Sequence, residues 1–326
     1  MTTIKKIAIL TSGGDAPGLN ACIRAVVRAA VFHDIKVMGI HRGYEGMMDG
    51  DLFIMNASTV SNIIQRGGTI LKSSRSERFK TQEGRALAYH QLRKENIDGV
   101  ILIGGDGSFA GSRAFISTYN IPFIGIPKTI DNDINGTDYS IGFDTATNTA
   151  MEAIDKIRDT AESHNRIFFV EVMGRDAGFI AYQTGISSGA EAIYIPETKT
   201  DLQHLFSMLE TGWNRKKNSL IVVVAEGDEV GGAFKISRQV KNKFPQYDMK
   251  ICILGHVQRG GSPSCADRVL ASKLGVAAVD ALLSGKINVM VGEIKNEIVY
   301  TPLEKVVKKH LQIAPSMFEL INVLSS

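Results

Sequence analysis

Val100-Ile101-Leu102-Ile103-Gly104-Gly105-Asp106-Gly107-Ser108 is the stretch on which the fold turns: four apolar residues run directly into two glycines, an aspartate and a third glycine. A short, unbroken apolar run reads as a strand buried on both faces, the habit of parallel sheets covered by helices. The glycines after it let the backbone turn tightly and come close to a ligand. The same pattern stands upstream. Residues 7–10 are apolar and lead into Thr11-Ser12-Gly13-Gly14-Asp15, after which Pro17 and Gly18 open a stretch with Ile23, Val26, Val27, Ala30 and Val31 at helical spacing. Further strands are expected over 36–40, 100–103, 123–126, 167–172, 220–225 and 251–254, with helices over 82–95, 144–161, 202–213 and 266–283. Such alternation predicts an α/β protein with parallel sheets and helices on both faces, in which ligands bind at the carboxyl ends of strands. A domain break is expected near residues 138–145. Thr301-Pro302-Leu303-Glu304 has the form of a capping-box helix start.

Composition bounds the function. The 326 residues are 44% hydrophobic and 22% charged, enough apolar surface for more than one core and too much for a disordered chain. Glycine is abundant (32) while proline is not (8), which assigns the glycines to specific turns rather than to linkers. A net charge of +3 does not by itself imply a nucleic-acid or membrane partner. Cys22, Cys252 and Cys265 are odd in number and lack metal-ligand spacing, against both a disulfide framework and a zinc site. With no membrane-length apolar run and no signal peptide, the expectation is a soluble, cytoplasmic protein.

Three turns carry the chemistry. The 11–15 turn has adjacent glycines before a helix, which suits an anion but also suits any tight strand–helix turn. Gly105-Asp106-Gly107-Ser108-Phe109-Ala110 fits the loose Gly-x-Gly-x-x-Ala dinucleotide pattern, so a dehydrogenase is one reading. An aspartate inside that cradle repels a bare pyrophosphate, whereas a divalent cation bridging Asp106 to phosphates removes the conflict. Thr129-Ile130-Asp131-Asn132-Asp133 places two carboxylates two residues apart, on one side if the chain is extended, one as base and the other for metal or orientation. Met173-Gly174-Arg175 and His256-Val257-Gln258-Arg259 follow other strands, with Arg166 and Lys250 before two of them, as suits a second, phosphorylated ligand. Walker, protein-kinase, nucleophile-elbow and His-Glu-x-x-His patterns are absent from the sequence. The residues themselves point to magnesium-dependent phosphoryl transfer to a phosphorylated small molecule.

Taken together in order, residues 11–15 with Pro17-Gly18, 104–108, 129–133, 173–175 and 254–261 with Ser262-Pro263 resemble the bacterial 6-phosphofructokinase family from Ile4 to about Tyr300. The resemblance implies two Rossmann-like three-layer α/β/α domains with chain crossovers between them: 1–142 with 258–308 for nucleotide, 143–257 with 309–326 for fructose 6-phosphate. It implies ATP against Gly14, Arg75, Ser76, Gly107 and Ser108, with Tyr44 near the phosphates, and Mg2+ on Asp106 with help from Asp133. Asp131 is the implied base toward the sugar 1-hydroxyl, and Thr129, Arg175 and Arg75 steady the phosphoryl group. Met173, Gly174, Glu226, His256 and Arg259 are implied to hold the sugar, with Arg166 and Lys250 reaching over from a neighbour in a homotetramer. An effector site for ADP, GDP or phosphoenolpyruvate is implied at Arg24, Arg28, Arg158, Gly189, Glu191, Arg215 and Lys217.

The sequence departs from the family's pattern in several places. Asn62 and Asn218 stand where that site usually has an acidic residue and a lysine, which leaves open a solvated basic face that no longer responds to effectors. Lys128 stands where ATP-dependent members carry glycine and pyrophosphate-dependent members lysine, yet Gly107 is not the aspartate of the latter. A clash with like-charge repulsion excludes more strongly than one cation attracts, so ATP is the expected donor and pyrophosphate the alternative. Ser76 replaces a common cysteine, and Lys250 an arginine that forks onto phosphate. A non-catalytic sensing paralogue is the third reading, opposed by intact Asp106, Asp131, Asp133 and Arg175.

Overall fold

The computed structural model describes residues 4–164, 166–214, 219–310, 312, 320 and 323. In chain order the elements are β1 (Lys6–Thr11), α1 (Leu19–Phe32), β2 (Lys36–Ile40), α2 (Tyr44–Asp49), β3 (Leu52–Met55), α3 (Gln82–Lys94), β4 (Gly99–Gly104), α4 (Asp106–Ile116) and β5 (Phe123–Pro127). There follow α5 (Phe143–His164), β6 (Arg166–Val172), α6 (Phe179–Ser187), β7 (Ala192–Tyr194), α7 (Leu202–Asn214), β8 (Leu220–Ala225), α8 (Gly232–Lys243) and β9 (Asp248–Ile253). The chain closes with α9 (Cys265–Leu283), β10 (Val289–Ile294) and β11 (Glu297–Pro302). Two compact units result: Met1–Thr129 with Ile134–Thr145 and Arg259–Lys308, and Ile130–Asp133 with Ala146–Gln258 and Lys309–Ser326.

The first unit holds a seven-stranded sheet in the order β11-β10-β5-β4-β1-β2-β3. Strand periodicity divides its residues between two cores. Ile7, Ile9, Ile101 and Ile103 pack with α1 and α9 on one face, and Ala8, Leu10, Val100 and Leu102 pack with Met47, Phe109 and Phe115 on the other. Gly275 lets α9 lie against α1, since a Cβ there would stand 2.7 Å from that of Ala25. The sheet is mixed rather than parallel throughout, because β3 and β11 run antiparallel to β2 and β10. β11 follows β10 directly as a hairpin, and β3 returns beside β2 after the short helix α2. The second unit has a parallel four-stranded sheet, β7-β8-β6-β9, whose Phe169, Val222 and Val224 pack with Leu205, Leu209, Ile236 and Val240.

Four expectations are corrected. Thr301 and Pro302 belong to β11, and Leu303–Lys305 forms a single 3-10 turn, not the start of a helix, because the strand pairing of Thr301 with Met290 takes the backbone the cap would need. Val31 lies within α1 but is exposed, unlike Ile23, Val26, Val27 and Ala30, which are buried. Lys250 lies within β9, which starts at Asp248 and ends at Ile253, one residue before the strand was expected to stop. The glycine turn after β4 is shorter than the pattern implied, since Asp106 is already the first residue of α4.

One buried carboxylate organises the first turn of α5. Asp267 accepts from Gly142 N and Thr145 N at 2.8 Å each and from the Thr145 hydroxyl, while Ser264 caps α9 by accepting from Asp267 N. Burial pushes its carboxyl above the usual range despite those bonds. Asp267→Ala would leave three donors buried without an acceptor and should cost about 2–4 kcal/mol, read as a lowered denaturation midpoint, since each orphaned buried donor costs about 1–3 kcal/mol before relaxation. An unchanged midpoint would contradict this role.

Candidate active site

In the larger sheet β1 lies between β2 and β4, so the order of strands reverses at β1 and β4. A crevice opens outside the carboxyl ends of strands at such a point. Parallel pairing sets Thr11 opposite Ile103, and Ser12 N donates to Ile103 O at 3.0 Å, which brings the 11–15 turn beside the start of α4. Gly13 has φ +86, and a Cβ on it would lie 3.4 Å from Ser108 Oγ. Gly104 has no room at all, its Cβ falling 2.5 Å from that of Ser108. Gly107 differs: nothing stands within 4 Å of a Cβ built there. Its lack of a side chain answers no packing need of the protein.

The backbone N–H groups that open α4 and the turn after β1 together favour an anion. Asp106 is half-buried, and among the described residues its carboxylate has no hydrogen-bond or ion-pair partner; a hard oxygen donor so placed fits a divalent cation. Lys128, only 3% exposed, donates from Nζ to the carbonyl oxygens of Gly14 and, at 3.4 Å, Ser12. Arg259 Nη1 donates to Asp15 O at 3.2 Å and borders Gly14. Tyr44 is buried, stacks on Phe79 at 3.8 Å, and donates its hydroxyl to Ser108 O at 2.7 Å, so it acts on the turn by supporting it. Arg75 is exposed, and Ser76 Oγ donates to Glu45 Oε1. Thr129 follows β5 and is half-buried.

The second unit collects the other set where β6 and β8 end. Glu226 N donates to Val172 O at 2.9 Å, and Glu226 Oε1 accepts from Arg175 N at 2.8 Å. Gly174 has φ +145 and Arg175 φ +50, a left-handed conformation that a non-glycine residue holds only where its surroundings enforce it. Arg175 Nε lies 3.8 Å from Asp131 Oδ2, and Asp131 is 4% exposed. The premise of an extended chain here is overturned: Ile130 and Asp131 form a turn and Asn132 has φ +51, so spacing does not put Asp131 and Asp133 on one side. Asp133 is buried, and its carbonyl accepts from Lys309 N at 2.8 Å. His256 is exposed on a 3-10 turn after β9. Arg166 and Lys250 flank Asp248, Nε to Oδ2 at 2.6 Å and Nζ to Oδ1 at 3.0 Å, and these two cations hold that carboxyl below its usual range.

Sequence reasoning missed Gln258. It is fully buried, and its Oε1 accepts from Met173 N at 2.9 Å, while its Nε2 has no hydrogen-bond partner among the described residues. It lies inside a quoted motif, but only the folded course of the chain brings it beside Met173. Of the implied effector residues, Arg24 and Arg28 lie on α1, half-buried and exposed. Arg158 donates to Ser188 O and Gly189 O at 2.7 and 2.8 Å and lies 3.7 Å from buried Glu191. Arg215, Lys217 and Asn218 lie outside the described residues.

The sequence model of the family described as Phosphofructokinase matches residues 6–282. Over 324 residues the chain is 54% identical to "ATP-dependent 6-phosphofructokinase 2" of Bacteroides thetaiotaomicron, covering 99% of this chain and 98% of that one. It is 51% identical over 322 residues to "ATP-dependent 6-phosphofructokinase 1" of Thermus thermophilus, covering 99% and 100%. Among solved structures, phosphofructokinase from Saccharomyces cerevisiae matches with TM-score 0.87 and 34% identity over 92% of this chain, which spans 44% of that longer one. A pyrophosphate-dependent phosphofructokinase from Marinobacter aquaeolei shares the fold, with TM-score 0.84 at 24% identity over 99% of this chain and 92% of that one.

The two glycines of the α4 turn should separate in a stability measurement. Gly104→Ala forces Ser108 aside and should lower stability by about 1–3 kcal/mol. Gly107→Ala sits in open space on a helix and should raise it by up to about 1 kcal/mol. Equal losses at the two positions would refute the distinction.

Proposed function

This chain belongs to the phosphofructokinase family, and from that premise we propose that it is an ATP-dependent 6-phosphofructokinase. The reaction moves the γ-phosphoryl group of ATP to the 1-hydroxyl of D-fructose 6-phosphate, giving ADP and fructose 1,6-bisphosphate, a glycolytic step. The observation that carries it is the pair of glycine turns at the reversal of β1 and β4, with an Asp106 carboxylate that has no partner among the described residues and open space over Gly107. The first unit is read as the nucleotide domain and the second as the sugar-phosphate domain.

In this reading the N–H groups of the two turns hold the donor's phosphates, supported from behind by Tyr44 through Ser108 O and by Lys128 through the Gly14 and Ser12 carbonyls. Asp106 would hold Mg2+, with Asp133 assisting; the cation would neutralise phosphate charge and orient the donor. Asp131 takes the proton of the sugar 1-hydroxyl onto its carboxylate as that oxygen bonds to the γ-phosphorus and the bridging oxygen leaves with ADP. Arg175 Nε, 3.8 Å from Asp131 Oδ2, holds a positive charge beside the carboxylate that takes this proton. Arg75, Arg175 and Thr129 steady the transferring group, whose charge spreads over its oxygens. Gly174 brings backbone to the sugar, with Met173, Glu226, His256 and Arg259 around it, and Arg166 and Lys250 meet the 6-phosphate of a neighbour in a homotetramer.

Gly107 favours ATP over pyrophosphate. No packing demand keeps a side chain off that position, so its openness is space for a ligand, while the Lys128 ammonium is engaged by carbonyl oxygens. The effector residues are read as a site for ADP, GDP or phosphoenolpyruvate, and the enzyme as cytoplasmic; no helix among the described residues is long and apolar enough to cross a membrane.

The test is fructose 1,6-bisphosphate formation from fructose 6-phosphate and Mg2+ with ATP or with pyrophosphate. Turnover with ATP is expected, and turnover with pyrophosphate alone would overturn the donor assignment. Asp131→Ser should lower kcat at least about 100-fold with the fructose 6-phosphate KM changed less than about threefold, the scale of a lost general base. Gly107→Asp should raise the ATP KM at least about tenfold without loss of stability, as a like charge set against phosphate.

A further inference from the structure

The segment 73–78 carries Arg75 and Ser76 but belongs to no strand or α-helix before its short 3-10 turn. Something other than a ladder must fix its course, and side chains do so at nearly every position. Ser73 Oγ donates to Gly13 O at 2.5 Å, in the first glycine turn. Ser74 Oγ donates to Arg42 O at 2.6 Å. Ser76 Oγ donates to Glu45 Oε1 and accepts from Phe79 N at 3.1 Å. Arg78 Nη1 donates to Glu45 Oε2 at 2.8 Å and to Asp49 Oδ1 at 3.1 Å.

Glu45 is where these ties converge. Its two carboxylate oxygens take one partner each, on both sides of Glu77; its own side chain is largely buried, while Arg78 is exposed. Behind it the network continues: Arg42 bridges Asp49 and Asp51 at 3.3 Å, and His41 Nδ1 lies 3.1 Å from Asp51 Oδ1 with its ring stacked on Phe53 at 4.4 Å. The neighbouring Tyr44 supports Ser108. Helix α2 therefore braces both the start of α4 and the 73–78 segment from adjacent residues. Within 73–78 Glu77 pairs with Lys80 and Arg78 with Glu45, which leaves Arg75 as the one charged side chain with no protein partner among the described residues.

We propose that Glu45 is a positioning residue for the reaction: it fixes the 73–78 segment through Ser76 and Arg78 so that Arg75 is presented, uncommitted, to the phosphoryl donor. This rests on the reading of Arg75 as a donor contact. Glu45 touches no reacting atom and acts through Arg75, so its removal should matter only while Arg75 is there to be positioned.

A double-mutant cycle tests this on the full-length enzyme with ATP, Mg2+ and fructose 6-phosphate. Glu45→Gln keeps size and one acceptor but loses the charge that holds Arg78. It should lower kcat/KM for ATP about tenfold, with the fructose 6-phosphate KM within about twofold, and in an Arg75→Ala background it should lower kcat/KM for ATP less than about twofold. Ser76→Ala, which removes the other tie to Glu45, should show the same dependence on background and serves if Glu45→Gln does not fold. Equal factors in both backgrounds, or no loss in either, would overturn the proposal while leaving the function intact. A wild type without turnover on ATP would overturn the functional reading and this inference with it.

Discussion

The parallel pairing of β1 with β4 is the constraint on which the rest of the site depends. It sets Thr11 opposite Ile103, so two chain segments separated by more than ninety residues make their glycine turns side by side. The strand order also reverses there, so no crossover helix covers the gap between the turns. Gly13, Gly104 and Ser108 then meet within contact distance, and the buried Lys128 ammonium is held on the Gly14 and Ser12 carbonyls. Those carbonyls, turned to a cation, leave the N–H groups of the same turn for an anion. Backbone rather than side chains forms this cradle, which explains why glycine dominates it.

The second unit solves a different problem by different means. Its 173–175 turn is held in conformations of low intrinsic stability, with Arg175 in the left-handed region at a cost of about 1–2 kcal/mol. Two side chains offset that cost from opposite sides, Gln258 on Met173 N and Glu226 on Arg175 N. Gln258 does so with its Nε2 buried and unpartnered among the described residues, itself a penalty of about 1–3 kcal/mol. Net stability is not what such a residue serves. It fixes a geometry that the chain would not otherwise keep.

Much of this was legible in the sequence. The runs 7–10, 100–103 and 220–225 are buried strands because nothing but β-branched, leucine or alanine side chains occupies them, and Gly13, Gly104 and Gly227 at their ends sit where a Cβ or a negative φ would be unwelcome. The failures share a cause. The periodicity of an extended chain sets Asp131 and Asp133 on one side, whereas Asn132 adopts φ +51 and breaks that periodicity. Thr301-Pro302-Leu303-Glu304 has a capping pattern, but hairpin pairing with β10 outweighs about 1 kcal/mol of local capping. Gln258, Glu45 and Asp248 escaped notice because their partners, Met173, Ser76 and the Arg166–Lys250 pair, are fixed by folding and not by spacing. The antiparallel edges escaped because a short return strand of mixed polarity, such as β11, has no clear two-residue alternation.

The proposed phosphate cradle joins the turn after β1 to the turn after β4. Amide hydrogen exchange of the intact protein, with and without Mg2+ and ATP, tests it directly because it reads the N–H groups themselves. Slowed exchange at residues 13–15 and 105–107 together is expected when ATP is bound. Protection at neither turn under conditions that saturate the enzyme with ATP, or protection confined to the strand ends of the second unit, would contradict it.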